Sequence, residues 1–309
     1  MHVLFCGSGE FGVPCLRALG ASGHEIALVL SQPDRPAGRG RKLTPTPIAA
    51  EALSSNLPLI RTENINSENL PAAEVMVVIA FGQKISPENV SHCRLGAINL
   101  HASILPKCRG AAPINWTILR GEAVAGNSVI RLAQKMDAGA ILAQSQLVIG
   151  ELETAGELHD RLAEDGAQLV LGVLDQLERG SAVETPQDEA RATSAPKLTR
   201  EFARLDFGRP AIELARHVRG LYPWPGCRVR LCDAAGAEKG RLTLVRARAG
   251  TGEGSRWQCG EIQENGYVAA GERSALEVLE VQPESKSPMS LDAYRRGHPW
   301  IAGARIESI

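Results

Sequence analysis

Long apolar runs, paired cysteine motifs and excess charge are all missing from this 309-residue chain, and each absence narrows the reading. No apolar stretch approaches the ~20 residues that a membrane helix requires, so no bilayer span is expected. Met1 and His2 lead directly into the short apolar run Val3 to Cys6 and a glycine turn, a start without the features of a secretory signal, and a cytoplasmic protein is expected. The seven cysteines are odd in number and include no C-x-x-C, which argues against a disulfide framework and a zinc knuckle and predicts reduced, buried thiols. Net charge is only −1, so no global excess of positive charge would draw the chain to nucleic acid. There is a local one. Arg35, Arg39, Arg41 and Lys42 crowd a glycine-punctuated segment opposed only by Asp34.

What is present divides into two parts. The first alternates strand-like and helix-like segments: His2 to Cys6, a helix near Pro14 to Ser22, the strand Glu25 to Ser31, then Val75 to Ala80, Ala97 to His101 and a strand around Asn127 to Ala133. This is the rhythm of a Rossmann-like α/β domain with a mostly parallel sheet. Thr154 and Glu157 form a capping box ahead of a helical apolar period that ends at Gly180. Residues 181–200 then turn polar and aperiodic, as a linker does. Beyond them, a helix near Pro210 to Gly220 and short strands separated by glycine turns suggest a small OB-like β-barrel. The expected organisation is therefore a catalytic domain over 1–180, a linker over 181–200 and a barrel over 201–309.

Gly7-Ser8-Gly9-Glu10-Phe11-Gly12 matches G-x-G-x-x-G between a strand and a helix, with Asp34 where a ribose-binding acid would fall. The basic proline-glycine stretch after Asp34 does not fit a nicotinamide site, and a tight strand-to-helix turn accounts for the glycines equally well. Asn99 and His101 carry a sharper signal. Two apart on one strand, they share a face at the carboxyl edge of the sheet, where open α/β sheets bind ligands. The irregular segment Ser103 to Pro113 reads as a pocket wall, and Asp137, beside Gly139, can reach the same crevice. An amide, an imidazole and a carboxylate, without metal spacing or an evident nucleophile, suit direct attack of an amine on an activated carbonyl carbon. Cys108 offers a thiol-hydrolase alternative, but it lies beyond a proline with no helix start to activate it.

The run Asn99-Leu100-His101-Ala102-Ser103-Ile104-Leu105-Pro106, followed by Arg109-Gly110-Ala111-Ala112-Pro113-Ile114 and the later Asp137-x-Gly139, closely resembles the folate-dependent formyltransferases. The basic segment Gln32 to Leu43, the run Ala195-Pro196-Lys197-Leu198 and Tyr222-Pro223-Trp224-Pro225 are similar to the branch of that family that acts on tRNA. This resemblance implies Asn99, His101 and Asp137 as catalytic groups. It implies Ser103, Ile104, Leu105 and Pro106, with Phe81 and Gly82, as folate contacts, and Arg35, Arg39, Arg41 and Lys42 as tRNA contacts. It further implies 10-formyltetrahydrofolate as donor, initiator methionyl-tRNA as acceptor, and neither metal, nicotinamide nor an obligate protein partner. Formyl transfer to an amino sugar or a purine precursor is the alternative, and would have no need of the basic segment.

Overall fold

The computed structural model describes residues 1–37, 40, 42–251 and 257–309. Arg39 and Arg41 lie outside the described residues. The chain divides into two compact units, one made of Met1–Pro113, Ala125–Leu147 and His159–Ala195, the other of Ile114–Val124, Val148–Leu158 and Pro196–Ile309. Among the described residues, no helix is long and apolar enough to cross a membrane.

The first unit is built on a seven-stranded sheet in the order Ile141–Gln144, Ser128–Arg131, Ala97–His101, Val75–Ile79, His2–Gly7, Glu25–Ser31, Leu59–Arg61. The five strands from Ala97–His101 to Leu59–Arg61 run parallel, while the two remaining strands join antiparallel. Helices cover parallel strands on both faces, which is why Val75–Ile79 is apolar at every position and buried throughout. Leu4, Cys6, Leu30, Met76, Val78 and Phe81 pack together in one of the resulting core layers. His2–Gly7 has neighbours from different directions of the winding, so the crevice beside its carboxyl end is the switch point at which this architecture accepts ligands.

The glycines of the first turn are packing requirements. A Cβ on Gly7 would come within 2.9 Å of the Phe5 ring and one on Gly9 within 3.0 Å of the Ala80 Cβ. Asp34 does not stand free for a ribose: both its carboxylate oxygens accept from Arg61 Nη1, at 3.0 and 2.9 Å. The basic segment is a ribbon, with Arg35–Ala37 paired antiparallel to Lys42–Thr44.

In the second unit, Val268–Ala269, Ser274–Pro283, Glu238–Thr251, Cys227–Cys232 and Arg305–Ser308 form an antiparallel sheet in that order. Its two edges approach through Glu261, which bridges Arg305, and Ile262, which bridges Val268, so the sheet curls into a nearly closed barrel. The helix Ala211–Gly220 buries Leu214, Ala215 and Val218. The capping box operates as the sequence indicates: Thr154 N donates to Glu157 Oε2 at 2.9 Å and Glu157 N to Thr154 Oγ1 at 3.4 Å, starting the helix Ala155–Glu178.

Candidate active site

Asn99 and His101 stand on the strand Ala97–His101, opposite Ile130 and Ser128 of the antiparallel neighbour. The pleat directs both side chains to one face. Among the described residues, the Asn99 side chain has no hydrogen-bond partner in the protein, and it is half-buried. His101 is buried and fully engaged: Nε2 lies 2.9 Å from the Cys108 carbonyl oxygen, and Nδ1 lies 3.6 Å from Asp137 Oδ1. A carbonyl only accepts, so the proton on Nε2 is assigned from this contact. The 3.6 Å separation is a charge contact beyond direct hydrogen bonding, of the kind that tightens when substrate binds. Both ring nitrogens face oxygen acceptors.

Asp137 is brought to His101 by a turn. Its φ is +54°, the left-handed region that aspartate enters more readily than most non-glycine residues, and its Oδ2 accepts from Gly110 N at 2.8 Å. The glycine in Asp137-x-Gly139 is there because the chain passes against Arg131: a Cβ would fall 1.8 Å from the Arg131 carbonyl oxygen. Gly110 answers a similar demand, since its φ is +125° and its Cβ would sit 2.7 Å from the Ala195 carbonyl oxygen. The two motif glycines permit the approaches that set the carboxylate beside the imidazole.

The turn Ser103 to Pro106 is braced from behind. Ser103 Oγ donates to the Lys107 carbonyl at 2.7 Å, Ser128 Oγ donates to the Ser103 carbonyl at 2.6 Å, and Gln144 Nε2 donates to the Leu105 carbonyl at 3.0 Å. Ser103 and Leu105 are thereby buried, leaving half-buried Ile104 and Pro106 to offer surface. The Phe81 ring lies in the core and its carbonyl accepts from Gln32 Nε2 at 2.7 Å; Gly82 beside it is exposed. Cys108 meets the imidazole through its carbonyl oxygen, which is no nucleophile. Of the basic residues, Arg35 and Lys42 project exposed from the ribbon.

Sequence reasoning missed the groups that hold this arrangement. Cys108 N donates to Thr193 Oγ1 at 2.9 Å, Arg109 N donates to the Thr193 carbonyl at 2.8 Å, and Ser194–Ala195 pairs in parallel with Arg109–Gly110. The Arg109 guanidinium bonds Gln187 and Glu189. With Lys135 it pulls the Glu189 carboxyl down to about 2. A polar, aperiodic stretch gives no signal of such contacts, because they join residues far apart in sequence and impose no period. A groove of about 990 Å³ elsewhere on this unit includes none of Asn99, His101 or Asp137. Its lining carries Glu10, Glu51, Asp160, Glu164 and Asp165 against Arg17 and Arg161, the wrong sign for an anionic substrate.

A Rossmann-like sheet with an amide, an imidazole and a carboxylate at its carboxyl edge, followed by a small barrel, has the makings of a group-transfer enzyme. Comparison with known proteins gives that class its name. Residues 1–174 match the formyl transferase family model and residues 197–299 match the model of the formyl transferase C-terminal domain. The chain is 41% identical over 319 residues to methionyl-tRNA formyltransferase of Caulobacter sp. strain K31, covering 99% of this chain and all of that one. It is 38% identical over 309 residues to the enzyme of the same name from Moorella thermoacetica, covering 98% of each. Among solved structures, the sugar 3N-formyl transferase WlaRD, crystallised with dTDP and 5-N-formyl-THF, superposes with a TM-score of 0.63 at 14% identity over 93% of this chain and 99% of that one. HypX from Aquifex aeolicus in complex with tetrahydrofolic acid gives 0.59 at 18% identity over 94% of this chain and 46% of that one. The chain belongs to the formyl transferase family, in the branch whose members are methionyl-tRNA formyltransferases.

Proposed function

We propose that this enzyme transfers a formyl group from 10-formyltetrahydrofolate to the α-amino group of initiator methionyl-tRNA in the cytoplasm. The observation that carries this reading is the end-to-end similarity to methionyl-tRNA formyltransferases, joined to the gathering of Asn99, His101 and Asp137 at one edge of the sheet. The half-buried surfaces of Ile104 and Pro106 suit a flat heterocycle such as a pterin. The donor supplies an activated formyl carbon. The amine attacks that carbon, a new C–N bond forms as the bond to N10 of the carrier breaks, and the amine proton ends on the leaving nitrogen.

The protein's part is electrostatic and positional. The free Asn99 amide donates to the formyl oxygen as negative charge develops there, with the His101 imidazolium adding a positive field. Asp137 takes the proton from the attacking amine, directly or through water. The Arg35–Thr44 ribbon supports the tRNA acceptor. Arg35 and Lys42 are exposed on it, and Arg61 neutralises Asp34, the one acid beside them, so the ribbon presents positive charge to phosphates. Arg39 and Arg41 add to that charge by sequence. The test is incubation with 10-formyltetrahydrofolate and either methionyl-tRNA or free methionine, with His101→Ala as control. Formylmethionine formed on the tRNA alone and lost in the variant supports the assignment; formylation indifferent to tRNA would move the acceptor to a small amine.

A further inference from the structure

We propose that Gln187 is a positioning residue for formyl transfer, fixing Asp137 by gripping its own backbone carbonyl and that of Gly139; this rests on the function proposed above. Gln187 Nε2 donates to the Asp137 carbonyl and to the Gly139 carbonyl, each at 2.8 Å. Its Oε1 accepts from Arg109 Nε at 3.1 Å and Nη2 at 2.7 Å. A primary amide has two N–H donors and one oxygen with two lone pairs, and here all four are used. Gln187 reaches the turn from 50 residues away in sequence, so no local propensity explains the contact.

Two details tie the grip to the reaction. Asp137 stands in the left-handed region at φ +54°, and the carbonyls that Gln187 binds, its own and that of Gly139, close the turn on its C-terminal side. On its other side Gln187 holds Arg109, the residue between Cys108, whose carbonyl accepts from His101 Nε2, and Gly110, whose N–H donates to Asp137 Oδ2. One amide therefore spans the two segments that orient the carboxylate and the imidazole. Arg109 keeps Glu189 as a second acceptor at 2.7 Å, whereas among the described residues the Asp137 and Gly139 carbonyls each accept from Gln187.

The experiment uses the full chain with 10-formyltetrahydrofolate and methionyl-tRNA. Gln187→Ala removes the grip; Gln187→Glu keeps the shape and the acceptor for Arg109 but loses the donors to the two carbonyls. Both variants are expected to lower kcat by about 10- to 100-fold, as sub-ångström to 1 Å misplacement does, with KM for both substrates within about twofold of wild type. In an Asp137→Asn background, Gln187→Ala should cost less than about twofold more, because the group it positions is already gone. Wild-type turnover in Gln187→Ala would overturn the proposal. So would full rescue by Gln187→Glu, which would assign the role to Arg109, or a full additive loss in the Asp137→Asn background, which would make Gln187 merely structural. The wild type alone tests the function: if it formylates only a small amine, the acceptor is wrong, and the variant-to-wild-type ratios are read on that amine.

Discussion

Replacing Gly139 by alanine adds one methyl group at the point where the Asp137 turn crosses the Arg131 strand. The new Cβ would lie 1.8 Å from the Arg131 carbonyl oxygen and 2.8 Å from its carbonyl carbon, where real Cβ atoms essentially never come within 3.0 Å, so the chains must separate by about 1.2 Å. The obstacle is backbone. Arg131 is fixed in the sheet, and its N–H donates to the Ala140 carbonyl at 2.9 Å, so the turn has to yield. That turn carries Asp137, and a displacement near 1 Å at a reacting group costs on the order of 100-fold in rate. Overpacking of this kind also destabilises by about 1–3 kcal/mol, or a fall in melting temperature of roughly 2–12 °C for a unit of this size. Formylmethionine production under saturating substrates and thermal unfolding monitored by circular dichroism report the two effects separately. Gly172→Ala is the control: it lies exposed in the helix Ala155–Glu178 with nothing within 4 Å of its built Cβ, and it should leave turnover unchanged and raise stability by up to about 1 kcal/mol. A Gly139→Ala enzyme with wild-type kcat and melting temperature would refute the claim that this close approach sets the carboxylate.

Asn99→Ala should lower kcat by about 100- to 1000-fold, the usual cost of one oxyanion donor, with no change in the unfolding midpoint, since the side chain bonds nothing among the described residues. Glu157 is held down to about 2, first by its hydrogen bond from Arg246 and then by the Thr154 cap. Because that value is below the ordinary 4.5, its stabilisation is complete above about pH 4.5 and lost as pH falls toward 2. The carboxylate is half exposed, so Arg246→Ala should cost only about 1 kcal/mol at pH 7 and flatten the decline below pH 4.5 in urea unfolding. Arg35→Ala with Lys42→Ala should weaken tRNA binding and reduce the slope of log K against log salt by about 2, measured by filter binding; an unchanged slope would detach the ribbon from the RNA.

The parts legible in the sequence are those where burial writes a pattern. Val75–Ile79 reads as a strand because both its faces are covered, and Asn99 with His101 stands out because two polar residues interrupt such a run on one face. The capping box reads because Thr154 and Glu157 satisfy the helix end locally. The ribbon Arg35–Thr44 reads as loop because an exposed two-stranded hairpin leaves no apolar alternation. Residues 181–200 read as linker for a related reason. Gln187 and Thr193 act through the carbonyls and amides of residues 48 or more positions away, and hydrogen bonds to backbone impose no sequence period.

The same asymmetry separates the residues that hold the site from the one that waits for substrate. His101 meets acceptors at both nitrogens, Asp137 is fixed through its carboxylate and its carbonyl, and the Ser103 to Pro106 turn is braced by Ser128 and Gln144. Apart from the 3.6 Å His101–Asp137 contact, those interactions are hydrogen bonds already made before any ligand arrives, so orienting these groups costs the reaction little. Asn99 is the exception, the member of the triad whose side chain has no partner among the described residues. In the proposed reaction this half-buried amide, open to water in the free protein, exchanges that water for the formyl oxygen and gains most when the oxygen carries charge. Preorganised neighbours and one donor left unpaired by the protein are what transition-state stabilisation at a formyl oxygen requires.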